Sequence, residues 1–280
     1  MASTLLDELQ AVFSGAGFTA VAVAFYDYES ELHFSYQGDR FFHAASTMKV
    51  AVLLAIFKAA EEGKLKLEDR LHVRNRFTSI VDGGVFRIDP SRDGDTEVYR
   101  WLGRAMTIAE LARVMITRSS NLATNILFDY LGIDLVRRIL EEADLDGIKI
   151  QRGVEDEAAF HLGLNNEVNA DGLLRLFRLF CNVHYLAEKS RAGVLEILFA
   201  QEYNSMIPAR LPARAKVAHK TGEISTICHD AGIVFLPQRK PYVLAILTEA
   251  PASVENRQRV VSSISEIIYR RLAGSKGESA

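Results

Sequence analysis

Strand-like patterning is confined to the two ends of the 280-residue chain, and this constrains the fold more than any other feature. Near the N-terminus, Thr19–Tyr26 is rich in Val, Ala and aromatic residues, Asp27–Ser30 is polar and Glu31–Tyr36 alternates, which predicts a hairpin over 19–37. Near the C-terminus, Ala215–Thr221, Ser225–Phe235 and Tyr242–Leu247 read as three further strands, with a turn at Pro237–Pro241. The long middle has helical periodicity, with helices expected over 46–62, 107–117, 121–131, 135–143, 170–181 and 192–201. An amphipathic helix is expected over 1–13 and a last helix over 253–272. Strands that do not alternate with helices argue against a doubly wound parallel sheet. The pattern predicts an α+β protein: one five-stranded antiparallel sheet built from both chain ends, flanked by the terminal helices, with an inserted all-α lobe. The sheet lobe is placed at 1–45 with 205–280 and the helical lobe at 46–204. A cleft between two such lobes is the expected ligand site.

Charge and composition remove other classes. Lys plus Arg is 33 against 36 for Asp plus Glu, a net charge of −3, so no basic excess points to a nucleic-acid partner. With 49% hydrophobic residues the chain is too apolar for intrinsic disorder. Two cysteines, Cys181 and Cys228, cannot make a disulfide framework and are expected to be buried free thiols. The seven histidines are scattered, so no metal site is expected. No apolar run reaches the roughly 18–20 residues of a membrane span. The first 13 residues carry Asp7 and Glu8, unlike a signal peptide. The chain therefore reads as cytoplasmic as written, or as a periplasmic or secreted form whose leader was removed. The tail Gly274–Ala280 is expected to fray.

Three short elements carry chemistry. In Ser46-Thr47-Met48-Lys49, a serine opens a helix and a lysine follows one turn later on the same face. A desolvated lysine can lose its proton near neutral pH and serve as base to a serine nucleophile. In Ser119-Ser120-Asn121, between two helices, a serine can pass a proton and an amide can orient substrate. In Lys220-Thr221-Gly222, at a strand end, a cation and a hydroxyl can hold an anionic group, and the glycine permits close backbone approach. Taken singly, each also suits an ordinary helix cap or strand terminus.

In this order the three elements resemble the S-x-x-K, S-D-N and K-T-G set of class A β-lactamases and penicillin-binding proteins. The intervals, 73 residues from Ser46 to Ser119 and 101 from Ser119 to Lys220, are close to those of class A enzymes. The resemblance covers nearly the whole chain and implies a β-lactamase-like fold and a serine hydrolase acting on β-lactams. It implies that Ser46 is the acylated nucleophile, Lys49 its proton acceptor and Ser119 the relay to the departing nitrogen. Asn121 would bind the substrate's side-chain amide, and Lys220 and Thr221 its carboxylate. The backbone N–H groups of Ser46 and Glu223 would form the oxyanion hole. No metal or cofactor is implied, and the expected partner is a small β-lactam or peptidoglycan-like molecule met by a monomer.

The match departs at two places. Ser120 stands where class A enzymes usually have Asp. The deacylation motif R-x-E-x-x-L-N has as its counterpart Arg152-Gly-Val-Glu155-Asp-Glu157, with the acid one position late. Arg152 and Asn166 bracket this stretch fourteen residues apart, one fewer than in the family, so a shortened loop could present Glu155 as the deacylation base. The alternative is that Glu155, Asp156 and Glu157 form a solvated or Arg-paired acidic cluster. Slow deacylation would suit a penicillin-binding-type D-Ala-D-Ala peptidase or an esterase of the same fold. A non-catalytic binding module would be expected to lack Ser46 or Lys49. An α/β-hydrolase would need G-x-S-x-G, and the nearest approach, around Ser275, lacks the first glycine.

Overall fold

The computed structural model describes residues 4–273. In chain order the main elements are α1 (Leu5–Phe13), β1 (Ala20–Asp27), β2 (His33–Tyr36), α2 (Lys49–Glu61), α3 (Ile108–Thr117), α4 (Asn121–Leu131), α5 (Ile133–Glu142), α6 (Ala170–Leu179), α7 (Glu188–Phe199), β3 (Lys216–Glu223), β4 (Ile227–Phe235), β5 (Tyr242–Glu249) and α8 (Val254–Ala273). The five strands form the one antiparallel sheet that the sequence predicts, and their order in it is β3-β4-β5-β1-β2. The tail expected to fray lies outside the described residues. Among the described residues no helix is long and apolar enough to cross a membrane.

The chain divides into two compact units. The first comprises 1–47, 168–178 and 203–280 and contains the sheet. Side chains alternate across a strand, so one face of β1 gathers Val21, Val23 and Phe25, continued on β5 by Leu244 and Ile246. These bury against Leu9 of α1 and against Val260, Val261, Ile264 and Ile268, one helical face of α8. Each such side chain contributes roughly 1.5–3 kcal/mol by leaving water. The sheet unit also holds α6, which local patterning places in the helical insert. The Asp171 backbone N–H donates to the Gly38 carbonyl at 3.0 Å, the Ser35 hydroxyl donates to the Asp171 carboxylate at 2.9 Å, and the Arg178 guanidinium lies 3.9 Å from the centre of the Tyr26 ring. These contacts join residues more than a hundred positions apart, which local patterning cannot reveal.

The second unit comprises 48–167 and 179–202. Its centre is α2, whose run Val50–Phe57 is buried at every position. A helix that is apolar all round must be enclosed on all sides, and α3, α4, α5 and α7 supply that enclosure. The predicted boundaries of α3 and α4 are met. Thr107 and Glu110 close a reciprocal capping box, and α4 ends at Gly132, which has φ +76°. The unit is not purely helical, contrary to expectation. Arg70–His72 pairs antiparallel with Ala105–Thr107, and Phe77–Thr78 with Val85–Phe86. These short ladders tie together the long connection from α2 to α3. Neither cysteine is in a disulfide; Cys228 is buried, which pushes its thiol up to about 12, whereas Cys181, expected to be buried, is only half-buried.

Candidate active site

In the second unit the site begins with the burial of α2. Lys49 is the first residue of this enclosed helix, and its side chain is fully removed from water. Burial disfavours the ammonium form, and against the pull of Asp93 and Glu155 it still lowers the Lys49 pKa to about 7. The ammonium is not left without partners. Nζ donates to the Ser119 carbonyl at 2.7 Å, to the Ser119 hydroxyl at 3.2 Å and to Asn121 Oδ1 at 2.8 Å. Ser119 can offer both oxygens because it occupies the joint between α3 and α4 with φ +59°.

The Asn121 carboxamide extends this chain, its Nδ2 donating to Glu155 Oε1 at 3.3 Å. Glu155 also pairs with Arg92 at 3.0 Å. Burial raises its carboxyl pKa, opposed by the charges of Arg92 and Lys49. The loop that carries Glu155 is closed at the predicted bracket. Asn166 Oδ1 accepts from the backbone N–H of Arg152 at 3.1 Å, and its Nδ2 donates to the Arg152 carbonyl at 2.9 Å. The three neighbouring acids diverge. Asp156 turns to the Ser79 hydroxyl and the Ile80 and Ala159 N–H groups, and exposed Glu157 pairs with Arg92. Of the three, Glu155 is the one joined to Asn121.

In the first unit, Ser46 lies half-buried in a single 3-10 turn, Ala45–Met48, that leads into α2. Ala45 precedes it with φ +44°, its N–H donating to His43 Nδ1 at 3.0 Å. The end of β3 passes this turn closely. A Cβ on Gly222 would lie 3.1 Å from the Thr47 nitrogen and 3.2 Å from the Ala44 carbonyl oxygen, so a side chain there would press on backbone. Lys220 and Thr221 are buried on the same strand, with Lys220 Nζ donating to the Thr221 carbonyl at 2.9 Å. Glu223, exposed, ends the strand opposite Cys228.

The sequence matches the beta-lactamase enzyme family over residues 4–272. The chain belongs to this family. Among its relatives, the ROB-1 beta-lactamase of Haemophilus influenzae is 24% identical over 260 residues, covering 90% of this chain and 79% of that protein. The VEB-1 beta-lactamase of Pseudomonas aeruginosa is 20% identical over 264 residues, covering 89% and 84%. Among solved structures, PBP-A superposes with a TM-score of 0.82 at 26% identity over 96% of both chains. An ancestral class A beta-lactamase gives a TM-score of 0.82 at 21% identity over 96% of this chain and all of the other. The fold is that of class A β-lactamases.

Within this β-lactamase-family fold, the second unit unites Lys49, Ser119, Asn121 and Glu155 in one hydrogen-bonded chain. The first brings the turn of Ser46 beside the strand of Lys220, Thr221 and Glu223. Sequence reasoning missed three residues. Asp93 accepts from the Asn121 N–H at 2.7 Å and the Leu122 N–H at 2.9 Å. Arg92 pins Glu155. Buried Asn125 accepts from the Val154 N–H at 2.7 Å and donates to its carbonyl at 2.9 Å, fixing the residue before Glu155. Asp93 is one of several acids in a polar loop and carried no distinguishing signal. Asn125, an amide inside an apolar helix, was the one detectable clue, because a buried amide must find partners.

Proposed function

We propose that this protein is a serine β-lactam hydrolase that works through an acyl-enzyme on Ser46. The observation that carries the reading is the fully buried Lys49, titrating at about 7 three residues after a serine and bonded to both functional residues of the second motif. Neutral Lys49 takes the proton from Ser46 Oγ, directly or through a water. Oγ then attacks the lactam carbonyl carbon, and the oxyanion is met by the N–H groups of Ser46 and Glu223. Removing one such donor typically costs about 10²–10³ in rate. As the ring C–N bond breaks, Ser119 delivers its hydroxyl proton to the nitrogen and takes in its place the proton held by Lys49, whose Nζ lies 3.2 Å from the Ser119 hydroxyl, leaving an ester on Ser46 and Lys49 neutral again. Asn121 orients the substrate amide, while Lys220 and Thr221 hold the carboxylate. Glu155 then takes a proton from a water that attacks the ester; as the C–Oγ bond breaks, that proton is returned from Glu155 to the departing Oγ, which restores the Ser46 hydroxyl and the Glu155 carboxylate. The raised Glu155 pKa suits this step, since a stronger base abstracts the proton more readily.

A second reading, a penicillin-binding-type peptidase acting on a peptidoglycan-like substrate with a long-lived acyl-enzyme, is favoured by the Arg92–Glu155 ion pair, which weakens Glu155 as a base. A mutant of the similar PBP-A has been solved as an acyl-enzyme complex with penicillin G. The test is intact-mass analysis after mixing with penicillin G, beside steady-state hydrolysis of a chromogenic cephalosporin. Turnover by the native protein, with no adduct on Ser46→Ala, is the expected result. An adduct that persists on Ser46→Ala refutes the nucleophile. A stable adduct on the native protein without turnover selects the second reading.

A further inference from the structure

Helix α4 starts with the second motif, and its first N–H groups need acceptors. Ser120 supplies one: its Oγ accepts from the Ala123 N–H at 3.2 Å. Where the family usually has Asp at this position, a neutral serine leaves the start of the helix without a charged acceptor of its own. The two N–H groups that Ser120 does not reach, those of Asn121 and Leu122, both donate to Asp93, one to each carboxylate oxygen. Asp93 belongs to the polar loop that follows Pro90, and Tyr99 donates its hydroxyl to the same carboxylate at 2.9 Å. The adjacent Arg92 makes the ion pair with Glu155. One dipeptide of this loop thus holds both ends of the Asn121 bridge, its backbone and its glutamate partner.

We infer that Asp93 is a positioning residue that supplies, from a loop 27 positions away in sequence, the carboxylate that position 120 lacks, and so holds Asn121 where it can bond both Lys49 and Glu155. Asp93 does not touch the reacting atoms; it acts through the first turn of α4. A carboxylate belongs at a helix N-terminus on electrostatic grounds as well, since it faces the positive end of the dipole. The loop and the motif have thereby exchanged roles: the acid has moved off the helix and onto the chain that covers it.

The exchange makes the two positions interchangeable, and a double-mutant cycle tests this. Asp93→Ala should expose the amides of 120–123 to hydrogen exchange. It should also slow acylation by penicillin G by roughly tenfold to a hundredfold, the worth of hydrogen bonds to a charged group. Ser120→Asp alone should also slow acylation, because it sets a second carboxylate beside Asp93. In the Asp93→Ala background the same Ser120→Asp change should restore both exchange protection and most of the acylation rate. Asp93→Asn keeps the shape with one acceptor fewer, should fall between, and carries the same rescue test if Asp93→Ala does not fold. Native protection and rate in Asp93→Ala overturn the inference, as does a Ser120→Asp change that rescues neither variant. The kinetic arm rests on the function proposed above. A native protein that takes no penicillin refutes that function, and hydrogen exchange still decides the role of Asp93.

Discussion

Replacing Glu155 by Gln should move two rates in opposite directions. Deacylation should fall by about 10²–10⁴, the usual contribution of a general base. Acylation, by contrast, should become less sensitive to acid. The Lys49 pKa of about 7 is a balance in which burial pulls down and the charges of Asp93 and Glu155 push up. Glutamine keeps an oxygen to accept from Asn121 but removes one of those charges, so Lys49 should lose its proton more readily. Hydrogen bonds of 2.8 Å and 3.3 Å on either side of the Asn121 carboxamide link Lys49 to Glu155, and two unit charges with one amide group between them, roughly 7 Å apart, interact by about 2 kcal/mol at an effective dielectric constant of about 20. Arg92, 3.0 Å from Glu155, already cancels much of that field. What remains is on the order of 0.7 kcal/mol, or half a pH unit.

In the proposed mechanism Lys49 accepts the serine proton and must be neutral to do so, and this sets the sign. Native acylation should rise with pH, reach half its plateau near pH 7 and fall tenfold per unit well below that. In Glu155→Gln the curve should lie about half a unit to the acid side, so that near pH 6 the variant acylates about threefold faster than the native protein. Rapid-quench mass spectrometry with penicillin G between pH 5 and 9 reads both steps, as adduct growth and adduct decay. Unchanged decay would remove Glu155 from deacylation. A curve displaced to the alkaline side would refute the charge balance assigned to Lys49.

Two further substitutions probe the supports of the site. Asn125→Ala leaves the N–H and carbonyl of Val154 without their buried partner, at about 1–3 kcal/mol each; the melting temperature should drop and the acyl-enzyme should decay more slowly, and a drop in melting temperature with native decay would show that Glu155 is held by other contacts. Gly222→Ala forces a methyl group to within 3.0–3.2 Å of Thr47 and Ala44, at about 1–3 kcal/mol of overpacking. The turn of Ser46 should shift and acylation should fall with the pH curve of Lys49 unmoved, whereas native stability and native acylation together would contradict the close approach of strand and turn.

What the sequence disclosed and what it hid divide along a physical line. The helices expected over 107–117 and 121–131 obey local rules, and the structure keeps them nearly to the residue; the helix expected from Ser46 instead opens as a 3-10 turn and becomes α2 only at Lys49. The sheet was equally legible, because alternation and turn residues mark each strand. The placement of α6 was not, since its partners Gly38, Ser35 and Tyr26 lie far away in the chain. The site divides in the same way. Lys49, Ser119 and Asn121 stand in short motifs and could be named. Glu155, Asp156 and Glu157 differ only in what each one faces, and adjacency in sequence cannot express that. Asp93 was hidden for the same reason, one acid among Asp89, Asp93 and Asp95.

Backbone strain offers a route to the site that is independent of motifs. Among the described residues, seven that are not glycine have φ between +44° and +62°. Glu31, Gln37, Asp144 and Gln238 are exposed, as expected of turn residues. Ala45, Ser119 and Glu155 are half-buried, and each costs about 1–2 kcal/mol against the right-handed or extended alternatives. Ala45 has no polar side chain to offset that cost locally, and its N–H is held by His43. The conformations persist because each directs a chemical group that ordinary backbone would misplace. Ser119, had it continued α3, could not turn both carbonyl and hydroxyl to Lys49. Glu155, at its own left-handed bend, parts from Asp156 so that one carboxylate meets Asn121 and the other Ser79. The third bend immediately precedes Ser46 and sets the direction in which the turn enters α2. Three strained residues, drawn from three loops, therefore select the proposed nucleophile's turn, its proton relay and its deacylation base without reference to any family.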